Sequence, residues 1–475
     1  MVKDLTIQIL LHKVEALTRR LDTVEKENKL LRQENATLRS EVSELRARLD
    51  SNSQNSNKPP SSDGYKKKTV QPAFPKVKGK KQGGQQGHKG RTMQQVSSPD
   101  IIIPCKPKVC GCGHKFAEES MVLAEKRQVF DLPQPRLDVT EYRIFKVCCP
   151  ECKQEQKGIA PQGVNAPVQY GNNVKAFTVL LNVHYKLPYK KIQLLFGDLF
   201  GYPINESTIT SAGQTCYEKL QESENRIKSE ILANDVAHAD ETGVRVEGKL
   251  HWLHAAVTRL YTYLFVHQKR GAGAIQSNES ILTDYIGWLV HDCWGSYFNL
   301  PKLKHAICGA HILRELQGLA DNEDIKWAKV FKAFLLSVYT LPFEERVKRR
   351  HLIESRYDRI CGLAEMAEPP PVKTSSGRGK FKRTKGRNLV ERLIREKHGM
   401  LAFAFNKEVP FTNNLAERDI RPVKVKLKIS NCFRTFRGAE VYARVEGFIS
   451  TARKHKRCVF TELSNTFNGY NFITE

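Results

Sequence analysis

The first fifty residues carry an unbroken heptad, and no other feature of the chain restricts its fold so strongly. Leu10, Leu17, Val24, Leu31, Leu38 and Leu45 occupy one seam position, and Val14, Leu21, Asn28, Asn35, Val42 and Leu49 the other. Alternating steps of four and three residues mark a left-handed coiled coil and predict a dimerisation helix over 5–50. In a parallel dimer Arg20 would face Glu25, Glu27 would face Arg32, Glu34 would face Arg39, and Glu41 would face Arg46. Asn28 and Asn35 in the seam fix register and favour two strands at some cost in stability. The competing reading is a lone amphipathic helix on its own globule, but the stripe is narrow and both flanks are charged.

Charge supplies the next constraint. Lys and Arg number 77 against 51 for Asp and Glu, a formal charge of +26. The excess is localised: residues 51–91 hold 10 basic groups against 1 acid and residues 369–475 hold 23 against 9, whereas the coil is nearly neutral. Solvated surface lysines would be spread along the chain, so this pattern points to a polyanion, most often nucleic acid. The longest apolar stretches, such as 176–183 and 331–336, fall far short of a membrane span. The N-terminus has no signal-peptide core, so the expectation is a cytoplasmic protein without membrane contact.

Residues 51–95 read as a flexible basic linker in which Lys66, Lys67 and Lys68 would lie along phosphates. Six of the 12 cysteines then fall between Cys105 and Cys152. In a chain without a secretory signal such clustering favours metal over disulfides. Cys110-Gly-Cys112 and Cys149-x-x-Cys152 predict two knuckles of a zinc-ribbon-like domain over 100–160, holding one structural Zn²⁺. Cys105, His114 or Cys148 could replace one of these ligands, and the competing reading is a set of reduced thiols. Val139, Tyr142, Ile144 and Val147 alternate as a strand between the knuckles. Residues 171–230 read as helical, with helix-turn-helix-like spacing around Gly201-Tyr202-Pro203; an ordinary helical hairpin has the same pattern.

After Asn234 the periodicity changes to strands. A short apolar strand over 236–239 ends on Asp240, a hairpin and a third strand follow, a helix over 275–286 leads to a strand ending on Asp292, and a fifth strand precedes a helix over 311–319. That order is the α/β order of RNase H-like cores and predicts the first part of one over 234–320. Carboxylates at strand ends suit a pair of divalent ions about 3.5–4 Å apart that act on a phosphodiester. The third acid would come from Glu417, Glu440 or Glu446. Residues 321–410 read as a helical insertion whose basic loop includes Lys382 and Arg383, residues 411–460 as completion of the core, and 461–475 as a tail. Asn413 is placed to cap a helix that carries Glu417 and runs to Arg421, with Pro422 near its end. Arg421 shares the carboxylate's face, either to hold a phosphate or as a simple ion pair. Cys308 and His311 open a helix one turn apart, as a packed turn or as metal ligands without identified partners, and the packed turn is favoured.

Taken in order, these motifs resemble the transposases of the IS sixty-six insertion-sequence family. The likeness covers the coil, residues 55–63, the Gly83-Gly84-Gln85-x-Gly87-His88-Lys89-Gly90 element and the knuckles. It continues through Asp240-Glu241-Thr242, His291-Asp292, Cys308-x-x-His311 and Asn413-Asn414-x-Ala416-Glu417-Arg418-x-x-Arg421-Pro422. The first knuckle is tighter than the family's usual pair. The resemblance implies a DDE transposase with an RNase H-like core, in which Asp240, Asp292 and Glu417 hold two Mg²⁺ (or Mn²⁺). It further implies binding of double-stranded DNA, both element ends and target, by groups that include Arg418 and Arg421. A homodimer formed through the coil, accessory transposition proteins and a bacterial, nucleoid-associated location belong to the same expectation. The rivals are an RNase H-like nuclease without strand transfer and a non-catalytic zinc-binding regulator.

Overall fold

The computed structural model describes residues 2–50, 93–118, 121–323, 325–370 and 383–474. The expectations for Lys66, Lys67, Lys68, Lys382 and the motifs at 55–63 and 83–90 lie outside these residues. Residues 93–169 and 190–206 form a small unit, and the other described residues a larger one.

In the small unit β1 (Lys146–Cys148) and β2 (Glu155–Lys157) pair antiparallel, with Lys146 opposite Lys157. The turn between them closes where the Cys149 amide donates to the Gln154 carbonyl at 2.9 Å. A second turn at 110–114 is bridged by Val109 and Lys115, and its Gly113 takes φ +91, a region that side chains disfavour. The strand expected from Val139 onward is confined to Lys146–Cys148. Alternation predicts a strand only where one face is covered, and Val139 is 87% exposed.

Helices account for much of the larger unit. One helix, Val2–Asp50, carries the whole heptad, and Leu17, Val24, Leu31 and Leu38 are exposed along it. Its centrepiece is a five-stranded mixed sheet of β3 (Val236–Val246), β4 (Lys249–Val257), β5 (Thr262–His267), β6 (Trp288–His291) and β7 (Lys304–Ile307), in the order β5-β4-β3-β6-β7. The first three strands are antiparallel neighbours, whereas β6 runs parallel to both β3 and β7.

Side-chain alternation divides the sheet into two faces. Val244, Val246, Leu253, Ala255 and Leu264 face a core shared with Ala416 and Ile420 of the Asn414–Ser430 helix and Phe448 of the Phe436–Lys454 helix. Ala237, Ala239, Ala256 and Phe265 face the opposite core with Ile227, Tyr285 and Tyr297. A third core joins Val290 and Ile307 to the helices between Gly309 and Phe405, including fully buried Phe331 and Tyr357. Each such large side chain stabilises the fold by about 1.5–3 kcal/mol relative to exposure.

Two further expectations are corrected. β3 does not end on Asp240 but continues to Val246, because residues 242–246 pair with β4 and Val244 and Val246 extend the buried row. The helix expected over 275–286 is the short Ala272–Ile275, followed by turns in which Ile281, Leu282 and Tyr285 are still buried. Buried apolar residues at helical spacing thus arise here without a continuing helix, since burial alone does not fix backbone conformation.

Candidate active site

β3 and β6 bring the first two acids together. Their parallel register pairs Val236 with Trp288 and His238 with Val290, and carried two residues further it sets Asp240 opposite Asp292. Successive strand residues point to opposite faces, so Asp240 shares the face of Val244 and Val246, whereas Glu241 points into the other core. There Glu241 is committed: Arg270 binds its Oε1 at 2.9 Å and the Tyr297 hydroxyl donates to its Oε2. Arg270 is in turn stacked between Trp252 and Trp294, 4.9 and 4.4 Å from their ring centres.

Glu417 lies in the first turn of the Asn414–Ser430 helix, whose Ala416, Ile420 and Val423 are buried on the Asp240 face. Asp419 fastens the helix to β5 by accepting from Thr262 Oγ1 at 2.7 Å, and Lys454 pairs with it at 2.7 Å. The result is a concentration of carboxylates. Burial, then Glu241, Asp292 and Glu417 push the Asp240 carboxyl well above its usual range. Asp292 is likewise raised by burial, partly countered by the Trp294 amide, Arg270 and Arg392. Glu440 pairs instead with Arg437, and Glu446 is buried against Lys186 at 2.7 Å.

The start of the Glu417 helix differs from expectation. Asn413 makes no side-chain cap; its Nδ2 donates to the Ala239 carbonyl at 2.8 Å and its Oδ1 accepts from His238 Nδ1 at 2.9 Å. Burial pushes His238 down to about 4, which keeps the imidazole neutral in this bond. The helix also does not stop near Arg421 but continues through Pro422 to Ser430. Proline inside a helix costs about 3 kcal/mol or more, and here the buried face running from Ala416 to Val423 offsets it. Arg421 is exposed, and among the described residues no ion pair joins it to Glu417; the cation near Glu417 Oε1 is Arg314, at 4.0 Å. Arg418 is exposed beside Asp419, and Arg383 is bound by Glu391.

The sequence reading missed two groups. Lys424, two turns beyond Glu417, donates to the Gly243 carbonyl at 3.3 Å and lies within electrostatic reach of Asp240; helical spacing from Glu417 was the available signal. The other is the partner of Cys308 and His311. Among the described residues, the group of three whose ligand atoms lie within 4.8 Å of one another is Cys308, His311 and Glu417. Among the described residues Asp240, Asp292 and Glu417 do not form a group that close.

In the small unit the thiol of Cys110 is lowered by the Cys112 amide and then the Cys112 side chain, and that of Cys149 by the Cys152 and Glu151 amides and then the Cys152 side chain. Each knuckle is therefore paired within itself, but among the described residues the four thiols form no group of three or more ligands.

The fold is an α/β one in which Asp292 and Glu417 approach Asp240 on one face of a mixed sheet. The family comparison narrows this class. The Transposase IS66 family model matches residues 167–441, more than half of the chain and all three acids, and the protein belongs to that family. Residues 5–94 match a second model, a family of unknown function (DUF6444). No curated protein matches the chain. Among the described residues no helix is long and apolar enough to cross a membrane.

Proposed function

We propose that the protein is a DDE transposase that cleaves the ends of an insertion sequence and joins them to target DNA, with Asp240, Asp292 and Glu417 as its metal-binding triad. The observation that carries this reading is the approach of Asp292 and Glu417 to Asp240, near enough for both to raise its carboxyl, on one face of a sheet in the order β5-β4-β3-β6-β7. That order and direction of strands agree with an RNase H-like core. The acids fit divalent ions because the Asp240 carboxyl, raised by burial and by its acidic neighbours, calls for a compensating cation, and an all-oxygen set suits Mg²⁺ or Mn²⁺. Bound there, two such ions would supply activation of the attacking oxygen and stabilisation of the leaving one.

The chain's own residues set the stage for that chemistry. The Glu241 amide donates to Asp240 Oδ1 at 2.9 Å and the Trp294 amide to Asp292 Oδ1 at 2.9 Å, which fixes the orientation of both carboxylates. Arg418, Arg421 and Lys424, exposed on the Glu417 helix, would hold DNA phosphates beside the acids. Water would attack first, and the freed 3′-hydroxyl would then attack the target strand. The Val2–Asp50 helix would pair two protomers through its exposed heptad, as holding two element ends requires. Cys110, Cys112, Cys149 and Cys152 would hold one structural Zn²⁺ in a ribbon, and the paired thiols of each knuckle support this.

The test is a joining assay with Mg²⁺, a duplex carrying the element's inverted ends and a second duplex as target. Joined product is expected. Cleavage without joining would make the protein a nuclease, and DNA binding without cleavage a regulator.

A further inference from the structure

Cys308, His311 and Glu417 form a group that the phosphodiester chemistry does not use as a whole. Cys308 is fully buried and caps the Gly309–Asn322 helix, so its sulfur sits at a helix N-terminus. Burial pushes the Cys308 thiol up to about 11, partly countered by the Asn413 amide, which donates to Sγ at 3.2 Å, and by the His311 and Ala310 amides, so the site is a neutral thiol until a cation binds. His311 stands one turn along, with Nδ1 3.9 Å from Glu417 Oε1. Burial and Arg314 push His311 down to about 3, so the approach joins a neutral imidazole to a carboxylate and is not an ion pair. His311 Nδ1 and Glu417 Oε1 are both buried without a hydrogen-bond partner. Buried polar atoms normally find partners, and two facing orphans beside a thiol call for one.

The platform is rigid. The Gly309 amide donates to the Phe411 carbonyl at 2.8 Å, and a Cβ at Gly309 would collide with the Phe411 ring, so only glycine permits this approach. The turn bearing Cys308 and His311 is thereby clamped to the segment leading into the Glu417 helix.

We propose that Cys308, His311 and Glu417 form a binding site for a borderline-soft divalent ion such as Zn²⁺, and that its occupation removes Glu417 from the Mg²⁺ centre and inhibits the enzyme. The inhibitory half rests on the role proposed for Glu417; the site itself does not. One thiolate, one imidazole and one carboxylate are a zinc donor set, whereas Mg²⁺ selects oxygen ligands. The ligand atoms, within 4.8 Å of one another, need a small contraction to reach tetrahedral spacing. Ligation releases the Cys308 proton to solvent. Arg314, 4.0 Å from Glu417 Oε1, opposes a cation there and must turn away when the site fills.

The experiment uses the full-length protein and Co²⁺ as a spectroscopic stand-in for Zn²⁺. Wild type and Cys308→Ser are titrated in parallel, so that binding by the Cys110–Cys152 segment is common to both. Wild type should bind one more Co²⁺ per chain than the variant, with additional thiolate-to-cobalt absorption; equal stoichiometry and spectra would overturn the site. His311→Asn, half-buried and easier to tolerate, should weaken the same binding event by about 10-fold or more, and an unchanged affinity would count against it. A second arm measures Mg²⁺-dependent DNA cleavage with and without Zn²⁺, each protein referenced to its own zinc-free rate. Wild type should be inhibited and Cys308→Ser resistant; equal inhibition of both would overturn the inhibitory half. Failure of wild type to cleave with Mg²⁺ alone would instead refute the proposed activity, while the cobalt titration still decides the site.

Discussion

Asn413 donates its side-chain amide to the Ala239 carbonyl at 2.8 Å and thereby ties the start of the Glu417 helix to the strand that carries Asp240. The same side chain accepts from His238, and its backbone amide reaches Cys308. One residue thus links β3, the turn after β7 and the Glu417 helix, and fixes how far apart the two acids can stand.

Asn413→Ala should remove both side-chain bonds and leave the Ala239 carbonyl and His238 unpaired in a buried site. Each buried group left unsatisfied costs about 1–3 kcal/mol, so chemical denaturation should show a loss of that order. An unchanged unfolding midpoint would contradict the linking role.

Asp240→Asn should reduce DNA cleavage by more than the roughly 10–100-fold typical of losing an outer-shell partner of a metal. DNA binding, measured by electrophoretic shift, should be retained, because the basic groups remain. Retained cleavage would remove Asp240 from the triad.

Mg²⁺ should stabilise the wild-type protein by about 2.7 kcal/mol at a concentration a hundred times its Kd. The sign of the pH effect follows from Asp240, whose folded-state pKa is raised by burial and its acidic neighbours. A raised carboxyl contributes stability at low pH that is lost as pH rises through its folded value. The ion offsets that loss, so its effect on the melting midpoint should be larger at pH 8 than at pH 5. Asp240→Asn should melt higher than wild type without Mg²⁺ and gain less from it.

His254 gives the opposite dependence. It stacks on Phe265, its Nε2 lies 3.3 Å from the Lys269 carbonyl, and burial pushes it down to about 4. Between its unfolded value near 6.5 and about 4 the unfolded chain takes up a proton that the folded site excludes. Its contribution is complete above about pH 6.5 and declines as pH falls toward 4. His254→Gln should flatten this part of the stability profile; an unaltered slope would assign the acid sensitivity elsewhere.

Deletion of residues 1–50 should convert a dimer to a monomer in sedimentation, since Leu17, Val24, Leu31 and Leu38 are exposed along the single helix. A persistent dimer would move the interface to another surface.

Local pattern made a large part of this molecule legible. The heptad marks a helix now seen over Val2–Asp50, and apolar runs mark the five sheet strands, because both signals depend on neighbours a few residues apart. Period-two alternation already separates Asp240 from Glu241, as adjacent residues of a strand cannot share a face. The motifs also singled out Asp292 and Glu417 as candidate acids.

Only the tertiary structure decided which distant groups meet. From sequence Glu417, Glu440 and Glu446 were equivalent until the family resemblance singled out Glu417; in the fold Glu417 lies within reach of Asp240, Glu440 pairs with Arg437 and Glu446 is buried against Lys186. Pro422 read as a helix end until the buried face from Ala416 to Val423 carried the helix past it. Asn413 read as a cap, yet its bonds go to β3, and Cys308 and His311 lacked a partner until Glu417 arrived more than a hundred residues later. The physical reason is the same throughout. Periodicity reports which side of an element is buried, whereas a hydrogen bond, a metal site or a pKa shift depends on what that side is buried against.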